Sequence, residues 1–355
     1  MRPYDPILYP FSLLYDGITR LRNRMFDLGM KKSVSFEVPT IVVGNLSLGG
    51  TGKTPMVEFL LENFKTEYRI ATLSRGYGRK TSGFLLAKEG LSAKDIGDEP
   101  LQIFNKYSKE VTVAVGEERI LAIPQILADR PGTNLIILDD AFQHRYVKGD
   151  FNILLTTYHQ PFFRDRILPL GTLREHNSGA KRADAIVVTK CPGTLENKTK
   201  EEYRRKIREI SGDDCLIIFA ELKYGIPYAV LESSKKISHQ VILVSGIANS
   251  RVLKEEVSKH YDLLETLEFP DHHKYSETDM TKIMALYKKY ESLKPTVLTT
   301  EKDAVKLKDE KFIKYLMGIP IFALPVGMGF NQNEKKALLA LTARAIGEKK
   351  HTSGN

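Results

Sequence analysis

Cysteine is scarce in this chain of 355 residues: there are two, Cys191 and Cys215, and their spacing matches no metal-binding pattern. That argues against a disulfide framework or a structural zinc site, and a reducing cytosol fits. Long apolar runs are missing too. No segment approaches the roughly 18 consecutive apolar residues of a membrane span. The N-terminal segment has no uninterrupted apolar core and no small-residue cleavage site, so it does not read as a secretory signal. No short internal repeat is present.

What remains is an ordinary globular composition with a basic surplus. Hydrophobic residues make up 42% and charged residues 27%, enough for a real core, and the length suits two α/β domains. Lys and Arg exceed Asp and Glu by 53 − 44 = 9 charges. Such a surplus suits a nucleotide, a nucleic acid or an anionic membrane surface, and alone it does not choose among them. Near the N-terminus Phe11, Leu14, Ile18, Leu21, Met25 and Leu28 recur at spacings of 3 and 4, one face of a helix. Arg20, Arg22, Arg24, Lys31 and Lys32 lie beside or after that stripe. A basic amphipathic helix can lie in a membrane interface, and an apolar stripe can equally pack on the protein's own core.

Beyond the helix, β-type runs such as TIVVGN, NLIILDD, FNILLTT and ADAIVVTK alternate with helical patterns. Alternation of this kind predicts a parallel sheet with helices on both faces. It breaks over 223–240, where Gly, Pro and polar residues intervene, and a second α/β set follows. The expected organisation is a nucleotide-binding domain over 1–222, a linker over 223–240 and a smaller α/β domain over 241–355. The terminal KKHTSGN is expected to fray.

Four motifs carry chemistry. The octet Ser47-Leu48-Gly49-Gly50-Thr51-Gly52-Lys53-Thr54 follows a strand and opens a helix, and it matches the phosphate-loop pattern except that Ser47 replaces the first Gly. Glycines let several backbone N–H groups converge on one anion at a helix N-terminus. Lys53 would reach the β- and γ-phosphates, and the Thr54 hydroxyl would ligate Mg²⁺. Asp139 and Asp140 end an apolar strand, where a nucleotide enzyme needs a magnesium ligand, and adjacent carboxylates repel unless a cation sits between them. Asp98 and Glu99 open a helix; they suit its dipole, and a carboxylate there can also take a proton from an attacking hydroxyl. Asp271, His272 and His273 follow a strand of the second set, and one of the histidines can face an interdomain cleft. Among lesser signals, SRGYGR is basic and Gly-rich, GTLRE offers an Arg and a Glu, and neither VVTK nor TTEKD completes a guanine-reading pattern.

In their order, VGNLSLGGTGKTP, LSRGYGR, GDEP, LDDAFQH, GTLRE, FPDHH and TEKDAVKL resemble the tetraacyldisaccharide 4′-kinase family, over about residues 3 to 327. The resemblance implies a P-loop NTPase-like parallel-sheet domain, a smaller α/β domain and an N-terminal amphipathic helix that meets the bilayer. It implies transfer of the γ-phosphoryl of ATP, with Mg²⁺, to the 4′-hydroxyl of an acylated glucosamine disaccharide 1-phosphate. The place of action would be the cytoplasmic face of the inner membrane, without nucleic acid or an obligate protein partner. By the same resemblance the octet Ser47 to Thr54 holds ATP, Thr54 and Asp139 bind Mg²⁺ with Asp140 nearby, and Lys53 stabilises the transferred charge. Asp98 is the base; His272 pairs with it, with His273 the alternative. Arg75, Tyr77, Glu99, Gln143 and His144 are expected substrate contacts. Two rival readings are a phosphate-loop switch or nucleic-acid motor, and a non-catalytic membrane adaptor.

Overall fold

The computed structural model describes residues 5–231, 236–248 and 250–353. Its first sheet is built from β1 (Thr40–Asn45), β2 (Ile70–Ser74), β3 (Leu85–Leu86), β4 (Val111–Val115), β5 (Leu135–Asp139), β6 (Phe151–Thr157), β7 (Ala185–Thr189) and β8 (Leu216–Tyr224). Around it lie α1 (Asp5–Asp27), α2 (Lys53–Phe64), α3 (Ala93–Ile96), α4 (Asp98–Tyr107), α5 (Arg119–Asp129) and α6 (Asn197–Ser211). β1 pairs in parallel with β5 on one side and β6 on the other. β2 and β4 continue beyond β5, and β7 and β8 beyond β6, all in parallel, with β3 antiparallel at the edge. The central strands are continuous Val/Ile/Leu runs because helices cover both faces. Val42, Leu73, Leu138 and Ile186 bury one face; Ile41, Val43, Ile137 and Ile153 bury the other against Met56, Leu60 and Phe64 of α2.

The second sheet contains β9 (Tyr228–Ala229), β10 (Gln240–Ser245), β11 (Asp262–Glu268), β12 (Thr296–Thr300) and β13 (Ile321–Leu324), in the order β11-β10-β12-β13-β9. Its helices are α7 (Arg251–His260), α8 (Glu277–Lys289), α9 (Glu301–Leu307) and α10 (Glu310–Leu316). Part of the linker expected over 223–240 thus joins sheets, through β8 and β9; residues 232–235 lie outside the described structure.

The chain then returns. β14 (Val326–Phe330) pairs antiparallel with β8, extending the first sheet to nine strands, and α11 (Gln332–Ser353) packs on the first unit. Leu338 and Ile346 sit in the α2-side core, and the Phe330 ring lies 4.8 Å from Phe59. Strand pairing therefore divides the segment 241–355 that the sequence assigned to one smaller domain. The apolar face of α11 needs a sheet to cover, and the open one belongs to the first unit. Of the tail expected to fray, the backbone is helical through Ser353.

α1 lies along the first unit. Its inner side is fixed by Tyr15 Oη donating to the Arg174 carbonyl (2.9 Å), Arg22 donating to the Gln143 carbonyl (2.9 Å) and Asn23 donating to Glu175 (2.6 Å). Its other side leaves Ile7, Phe11, Leu14, Ile18 and Leu21 more than half exposed. Of the predicted stripe, Phe11, Leu14, Ile18 and Leu21 are among these, Leu28 just beyond the helix end is equally exposed, and Met25 is half-buried. No helix among the described residues is long and apolar enough to cross a membrane.

Candidate active site

Parallel pairing sets Val43 beside Asp139, so the loop leaving β1 and the two acids ending β5 emerge at one edge. The close approach depends on Gly44: a Cβ there would stand 2.6 Å from Phe142 Cβ and 2.9 Å from its backbone nitrogen. The loop is pinned from outside by Leu48 N–H donating to the Thr172 carbonyl at 2.7 Å. Gly52 ends it at φ +89°, a left-handed conformation that glycine adopts freely, and α2 begins at Lys53. The first amides of α2 and the Lys53 ammonium therefore face one cleft, an arrangement that favours phosphate.

The cleft measures about 720 Å³ and lies between the two units. Leu48, Gly49, Gly50, Thr51, Gly52, Lys53 and Thr54 line it, with Arg75, Tyr77, Glu99, Asp139, Asp140, Gln143, His144 and His272. Of the expected site residues, Ser47 and Asp98 are absent from the lining. Ser47 is buried at the loop base, bridged to Leu173. Asp98, 7% exposed, lies one hydrogen bond inside the wall: its Oδ2 is 3.2 Å from His272 Nδ1. His273 turns away; its Nε2 meets Asp279 at 2.9 Å and its ring stacks on Phe269.

The two strand-end acids differ. Asp140 is held by Arg174 at 2.8 Å and Lys53 at 3.7 Å. Burial raises its pKa, but those cations outweigh it and hold the carboxyl below its usual range. Asp139 is 2% exposed, and its Oδ1 has no hydrogen-bond partner among the described residues. Burial, then the Glu99 and Asp140 charges, push its carboxyl up to about 7. An orphaned, deeply buried carboxylate oxygen beside a hydroxyl-bearing phosphate loop fits a hard divalent cation. Among the described residues no cluster of three His, Cys, Asp or Glu forms a protein-only cage. A magnesium ion carried largely by phosphate oxygens and water needs none.

Around Asp98 the charge balance is reversed. Burial raises its pKa, but the His272 hydrogen bond and the Lys302 and Lys306 charges outweigh it and hold the carboxyl far below the ordinary value. Lys306 Nζ is 3.4 Å from Asp98 Oδ2. Lys302 Nζ is 3.0 Å from His272 Nε2, 3.2 Å from Asp271 and 3.4 Å from Glu99. The Tyr77 ring lies 4.7 Å from the His272 ring. His144 is brought down to about 4 by burial, then by Arg119, Arg22 and Arg75, so it stays neutral in a cationic corner. Gln143 spends its amide on the Asn45 carbonyl (2.8 Å) and Glu175 (3.0 Å).

Sequence reasoning assigned no role to Lys302, Lys306, Arg119 or Lys190. Lys302 and Lys306 are one helical turn apart on α9, a spacing that puts two cations on one face. Arg119, 3% exposed, and Lys190, at the end of β7, carry no such pattern.

A family model described as tetraacyldisaccharide-1-P 4′-kinase matches residues 4–344. The chain is 43% identical over 318 residues to the tetraacyldisaccharide 4′-kinase of Flavobacterium johnsoniae, covering 89% of this chain and 91% of that one. To the enzyme of the same description from Parabacteroides distasonis it is 39% identical over 358 residues, covering 97% and 95%. Among solved structures, LpxK from Aquifex aeolicus in complex with ATP superposes with a TM-score of 0.70 at 27% identity, covering 95% of this chain and 98% of that one. A family model that matches residues 4–344 and relatives 43% and 39% identical over nearly the whole of both chains lead to one conclusion: this chain belongs to the tetraacyldisaccharide-1-phosphate 4′-kinase family.

Proposed function

We propose that the protein transfers the γ-phosphoryl of ATP to the 4′-hydroxyl of a tetraacylated glucosamine disaccharide 1-phosphate. The observation that carries this is a carboxylate–imidazole pair, Asp98 with His272, brought from different units to the wall of the cleft that the Lys53 loop opens into. The residues 47–54 cradle the nucleotide phosphates, and Lys53 meets the charge that spreads over the moving group. Thr54 and Asp139 would hold Mg²⁺, which neutralises phosphate charge when bound. Asp98, kept ionised by its cations, accepts the proton of the sugar hydroxyl as its oxygen bonds phosphorus and ADP departs. Arg75, Tyr77, Glu99 and His144, which line the cleft, would contact the sugar headgroup. Because the pair joins two units, closure of the cleft assembles the base and excludes water together.

α1 supplies the approach to the lipid. Its exposed apolar side with Arg20 and Arg24 suits weak, reversible adsorption to an anionic surface, here the cytoplasmic face of the inner membrane. Sedimentation with anionic vesicles tests this: Leu14→Glu with Ile18→Glu is expected to abolish binding, and unchanged binding refutes the assignment.

The transfer itself is tested with γ-labelled ATP, Mg²⁺ and the disaccharide in detergent micelles, using wild type, Asp98→Ala and Lys53→Ala. Label at the 4′ position, lost in both variants, supports the function and the roles. Label that survives Asp98→Ala moves the base elsewhere. ATP hydrolysis stimulated by nucleic acid, without labelled lipid, refutes the kinase function.

A further inference from the structure

Resting on that function, we propose that Lys302 is a positioning residue of the transfer reaction: it donates to His272 Nε2 and thereby fixes the imidazole tautomer whose Nδ1–H orients the Asp98 carboxylate. A lysine ammonium has three donors and no acceptor. Its contact with His272 Nε2 at 3.0 Å is a hydrogen bond only when that nitrogen presents a lone pair. The ring proton then sits on Nδ1, which faces Asp98 Oδ2 at 3.2 Å. Asp98 Oδ1 accepts the Glu99 backbone N–H at 3.0 Å, so the carboxylate plane is set from two directions. One is the rigid start of α4. The other is the imidazole, which is correctly loaded only while Lys302 occupies its far side.

Two features make Lys302 suited to this. The Glu99, Asp98 and Asp271 charges outweigh the effect of its burial and keep the amine protonated, a donor under all working conditions. Lys302 is the second residue of a helix whose start is capped by Thr300 accepting from the Asp303 N–H, so its stem leaves a fixed backbone. Lys306, one turn on, already gives Asp98 a cation at 3.4 Å. Loss of Lys302 therefore leaves Asp98 a partner charge but frees the histidine. The alternative tautomer turns an Nδ1 lone pair onto the carboxylate, and the two repel. The arrangement also closes a route: with an ammonium on Nε2, the proton taken from the sugar cannot pass through His272 to that side.

A plain structural role is the competing account, because Lys302 also pairs with Asp271 and Glu99. The test uses the full chain labelled with ¹⁵N-histidine, as wild type, Lys302→Met and Lys302→Arg, with His272→Gln to assign the signal. In wild type the His272 signals should show a protonated Nδ1 and a bare Nε2. In Lys302→Met that pattern should be lost, with kcat down about tenfold to a hundredfold and KM for both substrates within about threefold. Lys302→Arg, which keeps a donor, should restore the tautomer and most of kcat. A wild-type ring protonated at Nε2, or a wild-type tautomer in Lys302→Met, overturns the proposal. So does a Lys302→Arg variant as impaired as Lys302→Met with both KM values raised, the mark of a lost ion pair. Absence of transfer by wild type overturns the kinase function instead, and the nitrogen shifts then judge Lys302 alone.

Discussion

α4 and α9 meet across the two units, and two charge clusters at that junction, one completed by Glu58 of α2 and the other by His272 after β11, are built oppositely. In the closed cluster one ammonium serves two acids: Lys106 Nζ lies 2.7 Å from both Glu58 and Glu301. Those carboxylate side chains are 8% and 1% exposed, and Gln102 and Tyr228 complete their hydrogen bonds. In the open cluster Asp98 meets two donors directly, His272 at 3.2 Å and Lys306 at 3.4 Å, while Lys302 stands behind the imidazole and is shared with Asp271 and Glu99. The pKa directions follow. Burial, with Glu301, raises Glu58 despite Lys106, whereas Asp98, raised by burial alone, is driven down by its surplus of positive neighbours. Two carboxylates at similar depth thus end on opposite sides of their ordinary value because the local sign differs. The closed cluster is suited to joining units, the open one to holding a base ready.

The contrast breaks most sharply at Asp98. Asp98→Asn keeps the shape and removes the charge; kcat is expected to fall by about 10²- to 10⁴-fold, and the melting temperature falls too, because the ion pairs with Lys306 and His272 are lost. His273→Gln, on the turned-away histidine, should cost stability of about 1 kcal/mol through Asp279 and leave kcat within about twofold. Equal losses from both would erase the distinction between the two histidines.

At the closed cluster the order of effects reverses. Lys106→Met strands two buried acids and should destabilise by about 3 kcal/mol, the low end for such pairs because the lysine keeps a quarter of its side chain exposed. Urea unfolding measures it, and adding Glu58→Gln and Glu301→Gln should recover most of the loss. No recovery would mean that the lysine acts through packing rather than charge.

The smallest effect is a pH window. Asp98 has its folded pKa depressed below the ordinary 3.8, so its ion pairs stabilise the fold above that value and the contribution fades as pH falls through the lower, folded one. The stability gap between wild type and Asp98→Asn should be flat from pH 5 to 8 and narrow below about 4. A gap that widens in acid would contradict the sign of the shift.

Local signals made much of this visible in advance. The phosphate loop is legible because strand, glycines and helix start are contiguous, and Asp139 because an apolar run makes a strand end conspicuous. The Asp98–His272 pairing was legible only through the family resemblance: the partners are 174 residues apart, and no periodicity reports that distance. The return of β14 to β8 was invisible for the same reason, since an antiparallel edge strand has no crossover helix to announce its partner. Arg119 follows β4 and Lys190 follows β7, and parallel pairing brings those strand ends to the same edge as the phosphate loop, which no local pattern encodes. Lys302 and Lys306 had a usable signal in their helical spacing, but a charged helix face more often meets water.

The hydrogen bonds from Tyr15, Arg22 and Asn23 bear on scale. They tie α1 to the backbone at 143 and 174 and to the carboxylate at 175, all beside the phosphate loop's neighbours. A tether on slack chain would let the catalytic groups wander; this helix cannot change its depth without moving the loops it holds. If α1 rests at an oil–water boundary, the protein works at one fixed standoff from it. It then selects molecules by how far their reacting hydroxyl stands above the boundary, before any contact with the sugar is made.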